Sequence, residues 1–342
     1  MSIEIVHTLP EEEWRRFVEQ HPNGNIFHTP EMFQVFNRTK RHQPEIWAVI
    51  DKTQHPLAFM LPVKISLMNG LFHRWTTRVV VYGSVLSTPG SEGREALRML
   101  LKAYRHAMLG NILFTELRNL SDLSDLQPVL NECGFSLEQH LNYLIDLNQS
   151  EETLIQNISK SGRQSVRSSQ NKGTIIEEVT DRRQLEMAYQ LLQKVYGRVH
   201  VPLANFSLFE AAYDILAPRE MFKGFMARIG DRYIGTCFIL IHKGRIIDWY
   251  AGSDRDFSSY CSGELLIWHI LRWGKEHGFK EFDFGGAGKP DEEYGPRQFK
   301  AKFGGTLVDY GRNTCIHAPQ RLMISKYGYQ LLRNLLFDNR RS

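Results

Sequence analysis

The chain has 342 residues, of which 42% are hydrophobic, 11% aromatic and 23% charged, a balance that excludes a disordered or low-complexity protein and suggests about two domains. A net charge of +4 is too small to imply a nucleic-acid partner by itself, and no DNA-binding role is expected. No apolar run approaches the ~18 residues needed to span a bilayer, and residues 1–7 have neither a basic nor an apolar signal region. The four cysteines make no C-x-x-C pair and the thirteen histidines no H-E-x-x-H spacing, so no metal site is expected.

In chain order, residues 46–50 and 56–66 read as two strands around the polar turn 51–55. Residues 92–109 read as a helix with Leu97, Leu100, Leu101 and Tyr104 on one stripe, ended by Gly110. A strand at 112–117 follows, then Gly134 and a closing strand at 143–146. The acid-free stretch 157–173 comes next, with Lys160, Arg163 and Arg167 sharing one face if it is helical. The plan then repeats: strands at 224–229, 233–242 and 245–251, a helix at 262–277 ended by Gly278, and a strand at 280–284. Gly304-Gly305 then leads to a closing strand at 313–316. Hairpin, helix and strand occurring twice predict an α/β (α+β) chain with mixed sheets and two domains, 1–150 and 151–342.

The chemistry gathers in the second copy. Phe282-Asp283-Phe284-Gly285-Gly286 is followed, after the Gly- and Pro-rich stretch 287–296, by Phe299-Lys300-Ala301-Lys302-Phe303-Gly304-Gly305. Alternation would turn Phe299, Ala301 and Phe303 inward and the lysines outward. Asp283 ends a strand where open α/β sheets place ligands; it is either a base or an ordinary turn residue. Tyr260, before the second helix, is either a substrate contact or a core tyrosine, and 287–296 either a lid or a connector. Gly288-Lys289-Pro290 is not a P-loop, and no G-x-S-x-G elbow occurs.

These segments, with Asn25 to Phe33, Arg163-Gln164-Ser165-Val166-Arg167 and Tyr260 before Leu265 to Trp268, resemble the Fem-type tandem GNAT-fold transferases over nearly the whole chain. The resemblance implies two GNAT-like domains and transfer of an amino acid from aminoacyl-tRNA to an amine of a lipid-linked or nucleotide-linked muropeptide precursor. It implies no tightly bound cofactor, a cytoplasmic location and peripheral contact with the inner membrane face. Phe299 and Lys300 match the family's Phe-Lys pair at the catalytic region, and Arg163 and Arg167 match positions associated with a phosphate-bearing substrate; Lys160 joins them as part of the same acid-free face. The expected catalytic residues are therefore Lys300 and Asp283, and the expected substrate contacts Phe299, Arg163, Arg167, Lys160, Tyr260, Gly285 and Gly286.

One departure bears on the donor. GNAT proteins that use acetyl-CoA open the central helix with Q/R-x-x-G-x-G/A, whose amides hold pyrophosphate. Here 258–264 reads Ser-Ser-Tyr-Cys-Ser-Gly-Glu, with one Gly and the acid Glu264. Two alternatives stand beside the aminoacyl transferase: an acetyl-CoA-dependent N-acyltransferase modifying a surface polysaccharide or small molecule, and a non-catalytic anion-binding module.

Overall fold

The computed structural model describes residues 3–66, 73–199 and 201–325. The first stretch of chain forms strands β1 (Glu4–Val6), β2 (His42–Pro44), β3 (Trp47–Ile50), β4 (Pro56–Met60), β5 (Val63–Ser66), β6 (Thr77–Val81), β7 (Val85–Ser87), β8 (Phe114–Arg118) and β9 (Ser136–Glu138). Helices α1 (Glu11–Gln20), α2 (Pro30–Arg38), α3 (His73–Thr76), α4 (Ser91–Met108) and α5 (Gln127–Glu132) lie between them. The next stretch adds β10 (Leu141–Asp146), β11 (Ile175–Glu178), β12 (Phe222–Ile229), β13 (Arg232–His242), β14 (Arg245–Ser253), β15 (Glu281–Gly286) and β16 (Thr306–Asp309). Its helices are α6 (Glu151–Asn157), α7 (Lys160–Asn171), α8 (Arg182–Arg198), α9 (Phe206–Leu216), α10 (Ser262–Glu276) and α11 (Gly295–Ala301), and β17 (Arg312–Ile316) follows.

Two compact units result, each with its own core. The first comprises the described residues up to Asn37, Arg41–Glu138 and those from Tyr310 onward; the second is mainly Gln139–Asp309. In the first, sheets ordered β1-β3-β4-β7 and β2-β5-β6-β8-β17-β9 are packed by the apolar stripe of α4, with Leu97, Leu100, Leu101 and Tyr104 against Val79, Val81 and Leu117. In the second, the sheet order is β11-β12-β13-β14-β15-β10-β16, and α10 lays Leu266, Ile270 and Leu271 on Phe225, Ile239, Ile246 and Phe282. Both helices follow the period read from sequence because each has one buried stripe.

The closing strands correct the expected plan. The strand expected to end the first half, β10, pairs antiparallel with β15 and β16 in the second unit's sheet. The strand expected to end the second half, β17, pairs with β8 and β9 in the first unit's sheet. The chain thus leaves the first unit after Glu138 rather than at 150 and returns to it at Tyr310; residues 326–342 of the second expected domain lie outside the described residues. Periodicity fixes which side chains face a core but does not name a strand's partner. Here buried polar contacts do. Asn119 Nδ2 donates to Asn313 Oδ1 at 2.9 Å, and His317 Nε2 shares a 2.9 Å hydrogen bond with Thr115 Oγ1. In the second unit Gly305, at φ +89°, lets β16 approach β10 so closely that a Cβ would lie 2.4 Å from Leu144 O. Among the described residues no helix is long and apolar enough to cross a membrane.

Candidate active site

The site forms where two parallel strands part. β14 and β15 pair from Arg245–Glu281 to Ile247–Asp283, and both then continue unpaired with each other, to Ser253 and Gly286. β14 also carries a bulge: Ile239 stands opposite Asp248 and Phe238 opposite Tyr250, so Trp249 is the extra residue. Bulges re-aim the side chains beside them, and this one lies at the opening between the strands.

The segment 298–304 does not alternate as a strand edge. Residues 295–301 form helix α11, with Pro296 in its first turn. Ala301 is exposed, whereas Phe299 and Phe303, four residues apart, turn together onto the core, with Phe303 5.6 Å from Phe284 between ring centroids. The correction reverses Lys300. Its ammonium points inward and donates to Phe284 O at 2.6 Å and Gly286 O at 2.8 Å. An ammonium has three N–H donors, so one remains for a ligand.

Asp283 explains why those two carbonyls converge. It is fully buried, and its Oδ1 accepts from Gly285 N at 2.7 Å and from Asn142 Nδ2 at 3.3 Å. The side chain closes a turn over Gly285, which sits at φ +67°, a conformation glycine adopts without strain. The carbonyls on either side of that glycine are the ones that hold Lys300. Asp283 therefore shapes the lysine's seat; being fully buried with Oδ1 doubly bonded, it is placed poorly for exchanging protons with a substrate.

The second carboxylate is Asp248. It is half-buried at the bulge, and Cys237 Sγ donates to its Oδ1 at 3.6 Å. Burial, reinforced by the nearby Asp283 charge, pushes its carboxyl up to about 6, against the pull of Lys300. Burial also lowers Lys300 below the usual lysine range, while Asp248 and Asp283 oppose that shift. A carboxyl able to take a proton near neutrality thus feels the charge of a cation with a spare donor, a combination suited to general base and oxyanion stabiliser. Asp248 escaped the sequence reading; an acid inside the apolar run Ile246-Ile247-Asp248-Trp249 was the available signal.

Residues 159–300 match the family model of the acetyltransferase (GNAT) domain. The structure is similar to that of FemX at a TM-score of 0.71 and 15% identity, covering 94% of this chain and 100% of that one. The chain shares the fold of FemX. The C-terminal domain of a putative lysylphosphatidylglycerol synthetase from Agrobacterium fabrum is similar at a TM-score of 0.58 and 13% identity, covering 94% of this chain and 95% of that one. A tandem GNAT protein from the clavulanic acid biosynthesis pathway is similar at 0.58 and 10% identity, covering 93% of this chain and 99% of that one. No curated protein sequence matches the chain. Residues 159–300 are thus an acyltransferase domain of the GNAT class.

In that GNAT frame, the other expected site residues separate. Phe299 borders the opening of α10, where a Cβ on Gly263 would meet its ring at 3.5 Å. Tyr260 is half-buried beside Lys172, whose ammonium lies 5.5 Å from its ring centroid. Lys160 and Arg167 are exposed on α7. Arg163 is not aimed outward: its Nη1 donates to Gln156 O at 2.8 Å and closely to Ile158 O, capping the end of α6. Arg163→Ala is expected to lower stability by about 1–2 kcal/mol, measured by urea unfolding, while activity per folded molecule stays at the wild-type level. A loss of substrate affinity without loss of stability would restore the phosphate role to Arg163.

The opening of α10 departs from a pyrophosphate cradle in structure as in sequence. Cys261, at φ 50°, precedes the helix, and Glu264 in its first turn pairs with Lys302 at 2.9 Å. The turn that would hold pyrophosphate thus carries an acidic side chain and its counter-ion. The stretch 287–296 is tied down as well: Arg297 Nη1 donates to Lys289 O at 2.7 Å and Nη2 to Glu292 O. Those contacts describe a held connector.

Proposed function

We propose that this protein is an aminoacyltransferase that forms an amide on an amine of a cell-envelope precursor, with aminoacyl-tRNA as donor. One observation carries the reading: Lys300 is seated by two main-chain carbonyls, with one donor to spare, beside Asp248 where β14 and β15 part. The amine nitrogen of the acceptor attacks the ester carbonyl carbon. Lys300 donates to the oxygen as it becomes an oxyanion. Asp248 takes the proton that the amine loses. Collapse of the tetrahedral species breaks the bond between carbonyl carbon and ribose oxygen, and the proton passes to that leaving oxygen. Asp283 holds the turn that seats Lys300, Phe299 walls the donor side, and Tyr260, Lys160 and Arg167 contribute substrate contacts.

The first turn of α10 favours an ester donor over a CoA thioester, since it carries the Glu264–Lys302 ion pair and lacks the glycines that let pyrophosphate approach the amides. Envelope chemistry is supported by the fold shared with FemX and with a protein named as a lysylphosphatidylglycerol synthetase. The acceptor is then a lipid-linked or nucleotide-linked muropeptide, reached at the inner membrane face. The acetyltransferase domain match keeps acetyl-CoA as the competing donor. Full-length protein incubated with muropeptide precursor and either labelled aminoacyl-tRNA or labelled acetyl-CoA decides between them. Label from the aminoacyl-tRNA is expected in an amide of the precursor; label from acetyl-CoA alone would replace this reading with its competitor.

A further inference from the structure

The repeated plan gives the chain a second parallel pair, and its far end is built differently. In the first unit β6 and β8 pair with Val79 opposite Thr115, Val80 opposite Glu116 and Val81 opposite Leu117. The second unit's pair ends in the same way at Ile247 and Asp283. One step beyond the last pair, Tyr82 stands where the second unit has Asp248, and Arg118 where it has Phe284. In sheets of this kind ligands gather at the carboxyl ends of parallel strands.

Arg78 and Val80 of β6 and Tyr82, one residue past its end, fall on the same side of the sheet as Glu116 and Arg118 of β8, and Arg312 lies opposite Arg118 on β17. The Arg118 guanidinium lies 5.1 Å from the Tyr82 ring centroid, and its Nε donates to Glu116 Oε1 at 2.6 Å. Arg312 Nη1 reaches the same oxygen at 3.5 Å. Glu138 of β9 stands opposite Arg312 at the outer edge. Three guanidiniums therefore face two carboxylates. The Nε of Arg78 is buried with no hydrogen-bond partner, an arrangement that a bound acceptor would relieve. Burial raises the Tyr82 phenol, and the charges of Arg118 and Arg78 act on it in the opposite direction. The side chains of Arg118, Glu116 and Arg312 are 34%, 20% and 28% exposed, so a ligand can reach them.

We propose that the first unit binds a phosphate group on the face of the β6–β8 pair that runs to its carboxyl end, held by the guanidiniums of Arg78 and Arg118 with the Tyr82 hydroxyl as a further donor. Guanidinium forks match both carboxylate and phosphate. Donors that converge from two strands and a phenol suit the several oxygens of a tetrahedral phosphate better than the two of a planar carboxylate. The site uses none of the groups assigned to the transfer chemistry, so it stands whether or not that reading does.

Titration calorimetry of the full chain with inorganic phosphate, with uridine diphosphate and with vesicles containing phosphatidylglycerol tests the proposal. Binding of at least one probe is expected; uridine diphosphate alone indicates a soluble phosphate ester, vesicles alone a lipid-linked one. Arg118→Gln is expected to weaken binding about tenfold, or ~1.4 kcal/mol. Glu116→Gln, which removes the competing carboxylate, is expected to tighten it several-fold, and Lys300→Met to leave it unchanged. Should Arg118→Gln fail to fold by circular dichroism, the opposite sign expected of Glu116→Gln decides. Failure of all three probes to bind, or binding indifferent to both substitutions, overturns the proposal.

Discussion

Replacing Lys300 with methionine is expected to lower kcat by about 10²–10³ while changing KM little, the loss typical of one donor aimed at a developing oxyanion. Methionine keeps much of the side chain's length and apolar bulk, so packing between α11 and β15 changes less than with alanine. It leaves Phe284 O and Gly286 O without the donor that now serves both, a cost set against relief from burying an ammonium. The two effects oppose each other, and the melting temperature is expected to move by only a few degrees. Lys300→Arg is expected to fall short of full rescue, because a planar fork cannot match two carbonyls and an oxyanion arranged for a compact ammonium. Initial rates with aminoacyl-tRNA, at saturating and limiting precursor, separate kcat from KM. A Lys300→Met enzyme within about threefold of wild type would remove the ammonium from the chemistry. A loss of that size with precursor binding retained is the outcome the transferase reading requires. A wild-type chain that binds precursor but transfers nothing would support the non-catalytic module.

What the sequence disclosed and what it concealed follow from the range of the interactions involved. The stripes of α4 and α10 depend on contacts within a few turns, and both helices were legible from spacing. The partners of β10 and β17 were not, because hydrogen-bond ladders join residues more than a hundred positions apart, as with Leu144 and Asp283 or Asn313 and Leu117. Lys300 was legible as an important residue through the resemblance of its surroundings, yet its direction was misread. Alternation assumed a strand, whereas Pro296 starts a helix and the Phe299–Phe303 pair carries helical spacing. Arg163 shows the same limit from the other side: a basic face reads as a binding surface until the carbonyls at the end of α6 are seen to take its donors. Asp248 was missed because a lone acid in a strand has no motif; only the bulge and the parting of β14 from β15 give it a role.

Asp248 accordingly carries the second large prediction, in both activity and stability. With its carboxyl pushed up to about 6, the base form accumulates only above that pH, so kcat/KM is expected to rise through about pH 6 and level off above it. Asp248→Asn should abolish that inflection and lower the plateau by about 10²–10⁴. The same shift makes the residue a burden on the fold. An aspartate raised from 3.8 to about 6 binds its proton more tightly folded than unfolded, so stability is fullest below pH 3.8 and declines as pH rises towards 6. Above pH 6 the whole cost is present. Asparagine mimics the protonated form and escapes that cost. Asp248→Asn is therefore expected to be more stable than wild type by about 1–3 kcal/mol at pH 8, with the difference vanishing near pH 4. Denaturant unfolding of both proteins at the two pH values measures it. A variant that loses activity and gains stability only at high pH has given up a carboxylate kept for chemistry. One whose stability change is the same at both pH values would show instead that Asp248 serves packing around Cys237, and the base would have to be sought in the acceptor substrate.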